Sequence, residues 1–120
     1  MGNFGQGMRE DLELEFDTFK DAFWLKIKTH CNIDLYNCKS ISEKFKEKNQ
    51  EKTTDWIIDL SNVKYIDSSG LGVLATQANT ISKANKKIYI LSPQSTVSHL
   101  FTMTGFSRWF SVVNKLEEIE

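Results

Sequence analysis

Trp56-Ile57-Ile58-Asp59-Leu60, followed a few residues later by Ile66-Asp67-Ser68-Ser69-Gly70-Leu71-Gly72, is the stretch that decides the fold. The first part is apolar except at Asp59, and an apolar run of this length without alternation marks a strand covered on both faces, as in a parallel sheet. Cover on both faces implies helices on both sides. Asp67 to Gly70 then punctuates the chain. After it, Leu71, Leu74, Ala75, Ala78, Ile81 and Asn85 recur at helical spacing. Strand, tight turn and helix are expected in that order.

Toward the N-terminus, Leu35, Cys38, Ile41 and Phe45 have the spacing of an earlier helix. Asp34, Asn37 and Ser40 are its candidate N-caps, and Glu43 completes a capping box with Ser40. That helix runs into the charged segment Lys44 to Lys52, a solvated helix end. Before it, Leu12, Leu14 and Phe16 alternate with Asp11, Glu13 and Glu15, and Phe23, Leu25 and Ile27 alternate with Trp24, Lys26 and Lys28. Two half-buried strands follow from that period of two, with a hairpin turn in Asp17 to Asp21. Trp24 stands in the polar phase of its strand, where it either covers the other face of the sheet, the preferred reading for an aromatic body, or marks a contact surface. Residues 1–10 include a Gly-rich stretch without periodicity and are expected to be a flexible leader, leaving 11–120 as one domain.

Toward the C-terminus, Ile88 to Leu91 is a short buried strand. Ser92 is the expected cap of a helix with Pro93, the only proline, at its first position. Val97, Leu100, Phe101 and Thr104 line one side of it, and Gly105 stands where a left-handed C-terminal cap belongs. Trp109 to Val113 suggests a last strand, with Asn114 and Glu117 opening a final short helix. The order β-β-α-β-α-β-α-β-α implies an α/β fold. Its small mixed sheet is mostly parallel with an antiparallel edge hairpin, and about four helices pack against it.

The chain has 120 residues, 15 basic against 16 acidic, for a net charge of −1. A balance of this kind provides no basic stripe for nucleic acid. No apolar run approaches the roughly 20 residues that span a bilayer, and no signal peptide is evident. Cytoplasm is therefore the expected compartment, with Cys31 and Cys38 as reduced thiols. Neither cysteine has the neighbours of a metal site, and the glycines at 70 and 72 lack the rest of a dinucleotide or P-loop fingerprint. No metal, cofactor or catalytic residue is assigned.

Chemistry concentrates at Asp67-Ser68-Ser69-Gly70, which places two hydroxyls and a carboxylate at a helix N-terminus. Free N–H groups there favour an anion. A serine in this turn either caps the helix or accepts a phosphate, and Asp67 either caps a backbone amide or adds charge to a recognition patch. A serine hydrolase would need a nucleophile elbow, but Ile66 stands where its first Gly belongs, and the base would have to be His30 or His99.

Asp67-Ser68-Ser69-Gly70-Leu71-Gly72-Val73-Leu74, with Ile57 to Val63 before it and Leu100 to Phe106 after it, resembles the STAS domain of bacterial anti-sigma factor antagonists. The resemblance covers roughly residues 12 to 113 and implies a switch protein rather than an enzyme. In that family the unphosphorylated domain binds an anti-sigma factor that is also a serine/threonine kinase. Phosphorylation releases the domain, and a phosphatase acting on the phosphoserine resets it. The resemblance puts the phosphate on Ser68, makes Ser69 the helix cap, and gives Asp34 a place in the partner-binding surface with Asp67, Ser68, Ser69, Gly70 and Gly72. Cys31 and Asn32 replace the Gly and Glu usual before that aspartate. The final helix is short for the family, and the expected state is a monomer or weak dimer. Two alternatives remain: a STAS scaffold or regulatory subunit of a lipid-transport or sensory complex, and a small-ligand or nucleotide module at the Gly70 helix N-terminus.

Overall fold

The computed structural model describes residues 12–119; the expected leader at 1–10 lies outside them. The elements run β1 (Leu14–Phe19), β2 (Ala22–Ile27), β3 (Cys31–Ile33), α1 (Cys38–Glu51), β4 (Trp56–Asp59), β5 (Val63–Ile66), α2 (Ser68–Lys83), β6 (Ile88–Leu91), α3 (Ser95–Thr104) and β7 (Ser111–Val113). Single 3₁₀ turns occupy Phe106–Arg108 and Leu116–Glu118. The second of these stands where a fourth helix was expected, so the described residues hold three α-helices.

A five-stranded sheet has the order β1-β2-β4-β6-β7, with β1 antiparallel to β2 and every other pair parallel. The mixed sheet and its antiparallel edge hairpin follow the expectation. The hairpin turns through Lys20 and Asp21, both with positive φ (51° and 68°), the handedness that suits a two-residue connection. A separate parallel pair, β3 with β5, was not anticipated. Three and four residues are too few to show a period, and Lys64 and Tyr65 of β5 are exposed.

Alternation along the strands divides the interior in two. Phe23, Leu25, Ile27, Trp56, Ile58, Ile88 and Ile90 face one side, where they meet Ile41 and Phe45 of α1, Leu71, Leu74, Ala78 and Ile81 of α2, and Val97 and Phe101 of α3. Trp56 is fully buried there, with the rings of Phe16, Phe23 and Phe45 edge-on at 6.3, 5.3 and 5.1 Å, an arrangement favoured by the ring quadrupoles. Ala22, Ile57, Tyr89, Leu91 and Val113 face the other side. All three helices pack on the first side, which corrects the expectation of helices on both. The second face is covered by Phe19 and Trp24 and by Leu116 and Ile119 of the terminal turn. Lys20 Nζ donates to Ile119 O at 3.0 Å and ties that turn to the first hairpin. Trp24 thus covers the second sheet face as expected.

The helix starts differ from their sequence signals. α1 begins at Cys38, so Ser40 and Glu43 lie inside it and form no capping box, and Leu35 precedes it with 68% of its surface exposed. Asn37 flanks the helix but turns back, its Oδ1 accepting from Asp34 N–H at 2.9 Å and its Nδ2 donating to Asn32 O at 2.8 Å. α3 begins at Ser95 after Gln94, not at Ser92. Ser92 has φ 52° and donates its hydroxyl to Asn114 O at 2.6 Å, so it secures the end of β7 instead. Gly105 adopts the expected left-handed cap, with φ 81°. Trp109, expected on the last strand, lies outside it and is half exposed.

Candidate functional site

β3 and β5 bring two loops together at their C-terminal ends. Asp67 N–H donates to Ile33 O at 3.0 Å, which holds the end of β5 against the chain entering the 34–37 turn. Asp67 is the N-cap of α2. Its Oδ1 accepts from Gly70 N–H at 3.0 Å, and its Oδ2 accepts from Leu35 N–H at 3.2 Å. One carboxylate therefore satisfies an orphan amide of the helix and fastens the preceding loop to it. Asp67 therefore caps the helix, as one of its two sequence readings has it, and Ser69 is not the cap.

Gly70 allows this closure. A Cβ on it would stand 2.7 Å from Cγ2 of both Ile33 and Ile66 and 2.9 Å from Ile33 O, nearer than real contacts. Only glycine lets the first turn of α2 lie so close to β3 and β5. Gly72 differs, with nothing within 4 Å of its would-be Cβ and an exposed position on the helix.

Ser68 and Ser69 are the first two residues of α2. Their amides belong to the group without intrahelical acceptors, so the helix end contributes a partial positive charge beside the two carboxylates. Ser68 is exposed and Ser69 half-buried. With the capping done by Asp67, the Ser68 hydroxyl has no structural work in the fold, and its position at the helix N-terminus accommodates a dianion.

Asp34 is half-buried beside this turn. Its Oδ1 accepts from Tyr36 N–H at 3.0 Å and Asn37 N–H at 3.3 Å, a local turn that ends just before the first residue of α1. The structure thus brings Asp34, Asp67, Ser68, Ser69 and Gly70 into one corner, with Gly72 exposed farther along the first turns of α2. Cys31, which replaces a glycine of the family pattern, lies in β3 opposite Val63 and is absent from the residues with positive φ. A side chain is accommodated there without strain.

Sequence reasoning missed Leu35 and Tyr36, which stand on the same corner with 68% and 67% of their surfaces exposed. The periodic placement of Leu35 suggested a core position. The signal against that is Asp34-x-x-Asn37, whose polar side chains bond to nearby backbone and delay the helix. His30 and His99 are both exposed, and neither hydrogen-bonds to Ser68. Among the described residues no group of His, Cys, Asp and Glu is arranged to hold a metal ion, and no helix is long and apolar enough to cross a membrane.

A family model described as STAS domain matches residues 17–119. An anti-sigma-B factor antagonist of Staphylococcus aureus is 30% identical over 103 residues, covering 86% of this chain and 94% of that protein. One from Staphylococcus epidermidis is 28% identical over 109 residues, covering 91% and 100%. Among solved structures, the Bacillus cell fate determinant SpoIIAA in its phosphorylated form superposes with a TM-score of 0.68 at 17% identity, covering 89% of this chain and 96% of that one. With the family model matching residues 17–119 and 30% identity to an antagonist over nearly its whole length, the chain belongs to the STAS-domain family of anti-sigma factor antagonists.

Proposed function

We propose that this domain is an antagonist in a partner-switching cascade of the bacterial cytoplasm, controlled by a phosphate on Ser68. Unphosphorylated, it binds an anti-sigma factor with serine/threonine kinase activity through the corner formed by the Asp34–Tyr36 turn and the first turns of α2. The kinase transfers a phosphoryl group to Ser68 Oγ and releases the domain. A phosphatase acting on the phosphoserine restores it. Domain function rests on residues 11–120.

The observation that carries this reading is the division of labour at the turn. Asp67 caps the helix and Gly70 permits the close packing, which leaves the Ser68 hydroxyl exposed and free for chemistry. A phosphate adds a charge of about −1.5 to −2 at a helix end that tolerates it, so the fold persists while the docking surface becomes strongly negative. A desolvated like-charge clash of about 3 kcal/mol in the complex weakens binding roughly a hundredfold. Exposed Leu35 and Tyr36 supply apolar surface beside the switch, in keeping with a protein partner.

The test combines mass spectrometry of protein from its native cells with binding to the cognate anti-sigma factor. One phosphate that disappears in Ser68→Ala, tight binding by that variant and weak binding by Ser68→Asp are expected. Equal affinity of the two variants for the anti-sigma factor removes the switch. A Ser68 that is never phosphorylated, together with co-purification with a transporter or sensory complex, assigns the domain to a scaffold role instead.

A further inference from the structure

β7 is an open edge of the main sheet, since it pairs with β6 alone. We infer that two copies of this chain associate through β7, antiparallel about a two-fold axis at Val112, and so join their sheets into one.

The backbone is the first observation. Ser92 N–H donates to Val113 O at 2.8 Å, so the peptide groups of Val113 turn toward β6, and with them those of Ser111. Peptide groups alternate in direction along a strand, which points the N–H and C=O of Val112 out from the edge. Asn114, the next residue to turn outward, is already engaged: its N–H donates to Glu118 Oε1 at 3.1 Å, and its C=O accepts from Ser92 Oγ at 2.6 Å. Val112 is thus the centre of a short edge, with a donor and an acceptor side by side. An antiparallel neighbour satisfies such a residue when the two facing residues exchange both bonds. A two-fold axis makes the facing residue Val112 of the second copy.

The side chains agree with that register. Val112 stands beside Ile90 on the helix-bearing face, with 41% of its surface exposed. A hydrogen-bonded antiparallel pair sets the Cα atoms about 5.5 Å apart, so the two Val112 side chains meet. Ser111 of each copy falls opposite Val113 of the other, and no charge in the strand opposes the approach. The other edge of the sheet, β1, differs. Paired with itself about Phe16, it would set Glu15 against Asp17, and like charges of that kind blunt an edge.

Charge complementarity selects a second copy over an unrelated extended peptide. An antiparallel arrangement sets the start of one β7 beside the end of the other. Arg108, at the start, is exposed and takes part in none of the ion pairs found among the described residues. Glu117, past the end, is exposed too. The two-fold axis brings this opposite pair together twice. Trp109, half exposed and stacked on Phe106, adds a rigid aromatic at each end of the seam, and Arg and Trp are both enriched in interfaces. A three-residue strand with these flanks covers less than the 1,200 Å² or so of a stable complex, so the dimer is weak, with Kd of about 10–100 μM. β7 contains no residue of the Ser68 corner, and the dimer does not depend on the switch.

Sedimentation equilibrium of the full chain from about 5 μM to 1 mM tests the proposal across that range. The apparent mass should rise from 13.8 kDa toward twice that value. Val112→Pro removes only the outward N–H, a change an edge strand tolerates, and Val112→Lys sets two charges face to face; each should weaken the dimer about tenfold or more. Arg108→Glu should weaken it severalfold, and Ser68→Ala should leave it unchanged. Hydrogen exchange of the Val112 amide in the unsubstituted protein should slow as concentration rises, a readout that does not depend on the folding of any variant. A mass that stays at 13.8 kDa up to 1 mM overturns the proposal. So does association that survives both Val112 substitutions, or exchange at Val112 that is independent of concentration.

Discussion

Replacing Asp67 should separate its structural role from its charge. In Asp67→Ala, α2 loses its side-chain cap, at a cost of about 1 kcal/mol. The Leu35 amide loses its acceptor, worth roughly another 1 kcal/mol, and the favourable charge at the helix N-terminus adds about 0.3–1 kcal/mol. The total is about 3 kcal/mol, which for a chain of this length lowers Tm by roughly 10 °C or more. Asp67→Asn keeps an oxygen for Gly70 N–H, and asparagine caps as well as aspartate. It loses the charge and the acceptor for Leu35, so its cost is about 1–2 kcal/mol. Urea unfolding followed by the fluorescence of buried Trp56 measures both, provided the slope m is unchanged. If both variants lie within about 0.5 kcal/mol of the parent protein, the bridging role of this carboxylate is wrong.

Gly70→Ala and Gly72→Ala should move stability in opposite directions in the same assay. The first forces a Cβ against Ile33 and Ile66 and costs about 1–2 kcal/mol after the gain in helix propensity; the second meets nothing and gains about 1 kcal/mol. Asp21→Gly should stabilise the first hairpin by about 0.5–1 kcal/mol, because Asp21 has φ 68° and glycine adopts that conformation without strain; thermal melts check it. Hydrogen bonding from Thr18 N–H, and then from Lys26, holds the Asp17 carboxyl below its ordinary value of 3.8. Its contribution is therefore present above that value and is lost as pH falls through the lower native one. Asp17→Asn should flatten this part of the acid limb in urea midpoints measured from about pH 2 to 5.

The parts of the fold legible from sequence are those with a long enough pattern. Alternation in β1 and β2, the apolar run of β4 and the helical spacing after Gly70 located the main sheet and α2. The left-handed Gly105 followed from its place at the end of a periodic stretch. β3 and β5 were hidden because each is shorter than the period that would reveal it, although their pairing is what aligns Asp34 with the Ser68 turn. The same turn motif offered three polar caps in a row, and sequence alone could not choose among them. The choice of Asp67 depends on the amide of Leu35, which comes from a distant segment. The apolar run at β4 correctly implied cover on both faces, but the helices it implied on both sides pack on one side alone. On the second face the cover comes from Phe19 and Trp24 of the first hairpin and from Leu116 and Ile119 near the end of the described chain. The exposure of Trp109 was missed because an aromatic residue beside Phe110, Val112 and Val113 has the composition of a strand.

The contact between Lys20 and Ile119 also bears on biosynthesis. A chain emerging from the ribosome at about 5–20 residues per second presents its N-terminal part first. The hairpin and the helix-covered side have most of their residues by the end of α3, whereas Ile57, Tyr89 and Leu91 keep an open strip until Ile119 has been made. That strip is a natural site for chaperone attention until residues 111–119 have emerged and docked on it, and slowing their emergence should prolong it.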